Sequence, residues 1–374
     1  MKKILCTLII GLLFLTGCTK TSVDSIFKDL TNKINNLSGY TLNGNLEVKN
    51  NTNTYNYQVE VSYKSKDKFR VSLTNTSNNH EQVILRNDEG VYVLTPSLNK
   101  SFKFQSDWPY NNSQIYLLGS IIEDLNNDKD LVKKEENGKY IFESKVNYPN
   151  NSDLIKQRVT VTSDLLIEKV EVLTDKDETE MMFEITNINY EPAFDESYFE
   201  VNSIINTTNN NQNTENNNNG TNGETSSKEK TDTETDSNQN NQTEQENNTK
   251  PNQETEQTAT LEDIIYPLYL PTGTVLETQE KVSKTDGERV ILTFAGEKGF
   301  TLVEETVLKE EEFTVIPTYG EPSLVNDTIG AMTDNSLNWI SGNIEYYIVS
   351  DVMNSEELLN IARSISVTSV SSLK

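Results

Sequence analysis

The chain has 374 residues, 34% of them apolar, and carries 58 Asp and Glu against 32 Lys and Arg, a net charge of −26. That length holds more than one core. The acidic balance repels nucleic-acid phosphates and anionic headgroups, which excludes nucleic-acid binding and attachment through a basic patch. With one histidine and two cysteines, no metal, cofactor or thiol chemistry is expected.

At the start, Lys2 and Lys3 precede an apolar run from Ile4 to Leu15, followed by Leu15-Thr16-Gly17-Cys18. A charged opening, a short hydrophobic stretch and small residues before a cleavage point mark an export signal over residues 1–17, too short to span a bilayer. Leu-Thr-Gly-Cys resembles the lipobox of bacterial lipoproteins. The resemblance implies that Cys18 becomes a diacylglyceryl, palmitate-bearing N-terminus on the extracytoplasmic face of the cell membrane, where two acyl chains give lasting attachment. Removal of residues 1–17 takes away Lys2, Lys3 and Cys6 but no acid, so the charge deepens to −28 and no free thiol is left.

A first domain is expected over residues 22–203. Val23, Ile26, Phe27, Leu30, Ile34 and Leu37 recur at helical spacing. Residues 40–48, 55–63 and 69–73 alternate apolar and polar at period two, as antiparallel strands with one buried face do. Val83-Ile84-Leu85 and Val91-Tyr92-Val93-Leu94, around the turn Asn87-Asp88-Glu89-Gly90, are apolar on both faces and need a cover on the second side. An apolar stripe over residues 113–125, after Trp108-Pro109, offers a helix for that role. Further strands are expected over 140–146, 155–161, 165–173 and 181–188, roughly ten in all, in a strongly curved sheet or half-open barrel.

Residues 204–260 are almost wholly Asn, Gln, Thr, Glu, Ser, Asp and Lys, a composition that cannot bury enough surface to fold. This predicts a disordered linker with a span of roughly 40 Å between independent domains. The last domain, 261–370, reads as small and α+β. Strands are expected near 275–282, 289–294, 300–307 and 313–317, a hairpin around Ser341-Gly342-Asn343, and a helix entered through an Asn354–Glu357 capping box and ending near Ile365.

Val91-Tyr92-Val93-Leu94-Thr95-Pro96, Leu98-Asn99-Lys100, Trp108-Pro109 and Ile188-Asn189-Tyr190-Glu191-Pro192 with Phe194-Asp195 and Tyr198-Phe199 resemble the lipoprotein-localisation-factor (LolA-like) superfamily. Leu337-Asn338-Trp339 and Ile361-Ala362-Arg363-Ser364 resemble the small domain of RseB/MucB-type regulators. The resemblance implies a mainly β fold with α+β character, a half-open antiparallel barrel of eleven strands capped by helices. Its apolar concave face binds acyl chains in the carriers. Where carriers have an Arg-Pro pair before the third strand, this chain has Lys64-Ser65-Lys66-Asp67.

The residues placed on that concavity are Tyr55, Tyr57, Val59, Val61, Tyr63, Phe69, Val71, Leu117, Leu118 and Ile121; from the residues alone an ordinary sheet core explains the aromatic stripe, and the resemblance shifts the reading toward a ligand-lining concavity. His80 reads as a solvated turn residue. Glu304-Glu305 and Glu310-Glu311-Glu312 read as exposed faces or turns, and neither 87–90 nor 232–236 has the ligand spacing of a calcium loop. The expected function is a non-catalytic, membrane-anchored lipoprotein that binds a lipid or lipoprotein acyl chain, in envelope sensing or lipoprotein handling. The alternatives are an adaptor or activator of a cell-wall hydrolase in sporulation or germination, and a carboxylate-dependent wall hydrolase.

Overall fold

A computed structural model describes residues 22–50, 53–205, 260–261 and 263–365. The expected export signal, Cys18, the 232–236 acidic run and all but the ends of the expected linker lie outside the described residues. Among those described, no helix is long and apolar enough to cross a membrane.

Helix α1 (Val23–Asn35) starts where the Ser22 side chain accepts the Ser25 N–H, with Asp24 in its first turn and Lys33 in its last, each suited to the helix dipole. Ile26, Leu30 and Ile34 form its buried stripe. Six strands follow: β1 (Gly39–Asn50), β2 (Asn53–Lys64), β3 (Lys68–Asn75), β4 (Glu81–Asn87), β5 (Gly90–Thr95) and β6 (Lys100–Phe104). After α2 (Leu118–Asn127) come β7 (Val132–Glu136), β8 (Lys139–Lys145), β9 (Lys156–Val161), β10 (Ile167–Leu173) and β11 (Thr179–Asn189). These eleven strands make one antiparallel sheet in the order β6-β5-β4-β3-β2-β1-β11-β10-β9-β8-β7, open rather than closed into a barrel.

Register carries the alternation of single strands across the sheet. Leu42 faces Val61, Val61 faces Val71, Val71 faces Ile84 and Ile84 faces Val93, so one apolar row runs across five strands. Each such side chain, fully buried, contributes about 1.5–3 kcal/mol. Helices α1 and α2 cover this face, adding Ile26, Leu30, Ile34, Leu118, Ile121, Ile122 and Leu125 to its core.

Helix α2 is shorter than the expected 113–125. Leu117 takes extended dihedrals, and the Gln114 N–H is held by the Ser120 hydroxyl at 2.8 Å, so the chain turns before the helix begins. Ile115 and Leu117 are buried all the same. The cover for the second face of β4 and β5 is also a different segment. Val83, Leu85, Tyr92 and Leu94 pack against Phe194, Tyr198, Phe199 and Ile204, with Phe313 from far along the chain.

The remaining strands are β12 (Val275–Ser283), β13 (Glu288–Ala295), β14 (Phe300–Thr306), β15 (Thr314–Thr318), β16 (Glu321–Val325), β17 (Thr328–Met332), β18 (Ser336–Ser341) and β19 (Ile344–Val349). All but β15 form a second antiparallel sheet, ordered β12-β13-β14-β19-β18-β17-β16. Helix α3 (Ser355–Arg363) packs on it, entered through the expected Asn354–Glu357 capping box. Strand β15 leaves this sheet and pairs in parallel with β6, extending the first sheet to twelve strands.

The expectation of independent halves meets a different arrangement. The turn between β16 and β17 and the strands on either side of it sit over the concave face of the first sheet, and Ile329 and Ala331 belong to its apolar core.

Candidate functional site

The ten residues expected to line a concavity converge on one core, as part of the floor and lid of the trough. Tyr57, Val59, Val61, Phe69, Val71, Leu117, Leu118 and Ile121 are buried there, with Tyr55 and Tyr63 partly buried at its margin. They divide by position along the strands. Tyr57 lies under the second unit and donates from its hydroxyl to the Asn326 carbonyl at 2.5 Å. Tyr63 and Phe69 lie at the opposite end, beneath the loop before α2.

The contact with the β16–β17 hairpin is polar as well as apolar. The buried Gln82 side chain accepts the Ile329 N–H at 2.5 Å and the Thr328 hydroxyl at 3.0 Å, and its amide lies 3.3 Å from the Ile329 carbonyl. Asn326, left-handed at φ 52°, is held by Asn50 at 2.7 Å and donates to the Ile365 carbonyl at 3.0 Å. Gln82 therefore acts as a peptide-like partner for a strand that the first sheet does not itself contain.

One cavity lies beside this seat and another away from it. The first, about 110 Å³, lies between the concave face and the second unit, lined by Leu46, Val48, Leu73, Ile84, Leu154, Leu324 and Ile329 among others. The second, about 410 Å³, lies at the far end, between α1, α2 and the starts of β1 and β3. Its wall is a run of aromatic rings: Tyr40 to Tyr63 at 5.3 Å, Tyr63 to Phe69 at 5.0 Å and Phe69 to Tyr110 at 6.4 Å between centroids. Ile34, Leu117 and Pro109 complete the apolar lining, with Asn35, Ser120, Glu123, Asn126 and Asn127 as its polar part. Its volume and its mix of aromatic surface with a few polar groups match a small-molecule site.

The aromatic wall is held from outside. Tyr40, fully buried, uses its hydroxyl to accept the Leu118 N–H at 3.2 Å, serving the α2 N-terminus that Leu117 cannot cap. Tyr110 donates to Asp67 at 2.6 Å, and Arg86 donates to the Trp108 carbonyl at 2.6 Å while lying 5.3 Å from the Tyr110 ring. Burial raises the phenol pKa of Tyr40, and burial with the Asp67 carboxylate raises that of Tyr110. Both donate or accept as neutral hydroxyls.

Three of the ten expected residues, Tyr63, Phe69 and Leu117, line the larger cavity; the other seven line neither. Sequence reasoning missed Tyr40 and Tyr110 on that wall, and Gln82, Asn326 and Arg363 around the hairpin. Tyr40 stood in the alternating pattern of β1 and could have been added by register. Gln82 and Asn326 carried no periodic signal, because the contacts that join them to the other unit, Gln82 with Ile329 and Asn326 with Asn50 and Tyr57, span more than two hundred residues of chain.

Two expectations about charged groups are corrected. Glu304, read as exposed, is completely buried and its carboxylate accepts the Ile265 N–H at 3.2 Å; burial pushes its pKa up to about 7. A side chain in the inward register of β14, facing Tyr346, is carried inside whatever its charge. Its neighbour Glu305 points out and pairs with Lys284 and Arg289. His80, read as solvated, is half-buried at the join between the units, its Nε2 without a hydrogen-bond partner among the described residues, and burial lowers its pKa. Among the described residues no group of three His, Cys, Asp or Glu is placed to hold a metal ion.

Residues 1–199 match the family described as sporulation protein YdcC-like. The chain is 31% identical over 363 residues, 97% of its own length and 96% of the relative's, to the sporulation protein YdcC of Bacillus subtilis strain 168. Among solved structures, the MucA/MucB complex of Pseudomonas aeruginosa aligns at 13% identity and a TM-score of 0.29, over 90% of this chain and 98% of that one. A LolA superfamily protein of Nitrosomonas europaea aligns at 11% identity and a TM-score of 0.28, over 47% of this chain and 97% of that one.

Proposed function

The chain belongs to the YdcC-like family of sporulation proteins, and from that premise we propose that it is a non-catalytic lipoprotein, anchored through Cys18 to the extracytoplasmic face of the membrane, which binds an apolar group. The observation that carries the reading is the 410 Å³ cavity walled by Tyr40, Tyr63, Phe69 and Tyr110. Rings there bury an alkyl or acyl surface, while Ser120, Asn126 and Asn127 at the same cavity offer hydrogen bonds to an ester or amide at its end. Organic extraction of the full chain purified from sporulating cells, analysed by mass spectrometry, tests this. A co-purifying lipid in wild type that is depleted in Phe69→Ala supports it; extracts without lipid from both proteins remove it.

A second reading, an adaptor for a cell-wall hydrolase, is favoured by the outer strand of the second sheet. All nine residues of β12 are exposed and, among the described residues, it pairs on one side only. Leu268, 84% exposed, and Val275, 63% exposed, stand on the same unit. An open strand edge with apolar side chains is a template for an extended segment of a partner. Crosslinking from position 279 in sporulating cells tests it. Recovery of a wall hydrolase supports the adaptor; recovery of no envelope protein rejects it.

A further inference from the structure

Each sheet ends in two strands that pair on one side only among the described residues, and three of these four edges are guarded. β7, with the sequence VKKEE, is nearly all charge, β15 contains Pro317 and β16 contains Pro322, and each is five residues long. Proline and dense charge keep an edge from acquiring a further strand. β12 differs. It runs for nine residues, VLETQEKVS, without proline or glycine, every residue is exposed, and Val275, Leu276 and Val282 put apolar surface into water along it. Its charges are few and of both signs: Glu277, Glu280 and Lys281. Lys281 lies 2.8 Å from Glu288 of β13, whereas neither Glu277 nor Glu280 makes an ion pair among the described residues.

We infer that β12 is a self-complementary edge, closed by β12 of a second copy of this chain in an antiparallel pair whose two-fold axis passes through Gln279. In that register Glu277 of each copy lies opposite Lys281 of the other, Thr278 lies opposite Glu280, and the two Gln279 residues face each other. Opposite charges directly across an antiparallel pair stabilise it, and like charges weaken it. Neighbouring registers lose that match. An axis at Glu280 or at Lys281 sets a charged residue against itself, and an axis at Thr278 sets Lys281 against Val275, so each leaves Lys281 with no acid opposite. The strand is built for the chosen register. Glu277 is the extra residue where the pairing with β13 shifts between Leu276 and Thr278, after which residues 278–283 run regularly. Gln279 and Lys281, opposite the buried Leu292 and Val290, share one face of the sheet. The Tyr266 hydroxyl donates to the Gln279 side-chain carbonyl at 2.5 Å, which orients the amide and leaves its NH2 group to donate to the second copy. The contact joins two seven-stranded sheets through their open edges. It uses the edge on which the adaptor reading rests, with a different occupant.

The full chain carrying Cys6→Ser and Cys18→Ser has no thiol of its own, so single cysteines introduced along β12 report the register. On mild oxidation Gln279→Cys is expected to give at least tenfold more covalent dimer than Ser283→Cys, which the two-fold axis holds apart from its own copy. A chain with Glu277→Cys mixed with one carrying Lys281→Cys is expected to give the mixed dimer in preference to either self-paired one. Added to Gln279→Cys, Glu277→Lys sets lysine against Lys281 twice and is expected to lower the yield at least fivefold with unchanged thermal melting. Glu280→Lys changes the net charge equally and is expected not to lower it. Sedimentation equilibrium of the unoxidised protein is expected to show a reversible dimer. A monomer throughout, equal yields at positions 279 and 283, or equal losses in Glu277→Lys and Glu280→Lys overturns the inference. In sporulating cells, crosslinks from position 279 to a second copy support it, while crosslinks to a wall hydrolase alone overturn it and support the adaptor.

Discussion

Glu304 shows how one inward register position sets a pH dependence. Its pKa rises from 4.5 to about 7 on folding, so the folded state holds a proton that the unfolded chain gives up. The stability that Glu304 contributes is therefore fully present below about pH 4.5 and is lost as pH rises through about 7, by on the order of 3 kcal/mol. Asp124, raised to about 6 by burial, acts with the same sign at lower pH, and His80, lowered by burial, acts with the opposite sign. Both are present in Glu304→Gln, which keeps an acceptor for the Ile265 N–H and removes only the titration of Glu304. Urea unfolding at pH 6 and pH 8 should show a smaller loss of stability in the variant than in wild type; equal losses would place the proton elsewhere. Gly44 is a second case, set by space. A Cβ there would meet the Phe183 ring and the Glu184 carbonyl, and Gly44→Ala should cost about 1–3 kcal/mol as overpacking does, read from the urea midpoint.

At the scale of elements, strands were legible where one face is buried and the other wet. β1, β2 and β3 follow the alternation of their sequences, because period two is the geometry of the pleat. β7, with the sequence VKKEE, is mostly exposed and held by pairing with β8, so it has no apolar signature. β17, TIGAM, is buried throughout and has no alternation to read. Its place over the first sheet depends on Gln82. Gln82→Leu leaves the buried Ile329 N–H without its acceptor, at about 1–3 kcal/mol. Hydrogen exchange should accelerate at Thr328 and Ile329 while Val71 and Val159 keep their protection. Uniform loss across both groups would mean that the hairpin is not a separately releasable element.

For the whole molecule, the join between the two sheets dominates. β15 pairs with β6, the Asn99 carbonyl accepts the Thr314 N–H at 2.9 Å, and Leu98, Val307, Ile340 and Phe102 form a small core across the boundary. A chain cut at a protease site introduced at residue 230 should keep both fragments in one peak on size exclusion, at 0.5 M salt as at low salt, since paired backbone and apolar contacts are little screened. Separation into two peaks would show that the connection alone holds them together.

Local chemistry settled much of this in advance. The Asn354–Glu357 capping box, the helical stripe of α1 and the alternating strands depend on groups within a few residues of one another, and neighbours in sequence are neighbours in space. The open, mainly β architecture follows from those strands, since a sheet buried on one face curls around its helices. Tertiary structure alone decided what lies on the concave face. Gln82 with Ile329, Tyr57 with Asn326, and β6 with β15 are contacts between segments more than two hundred residues apart. Such contacts form only when the chain doubles back, and no period or motif in either segment encodes its partner. The trough was therefore readable as an apolar surface, whereas its occupation by the β16–β17 hairpin, and the small cavity left beside that hairpin, became visible only once both sheets were in place.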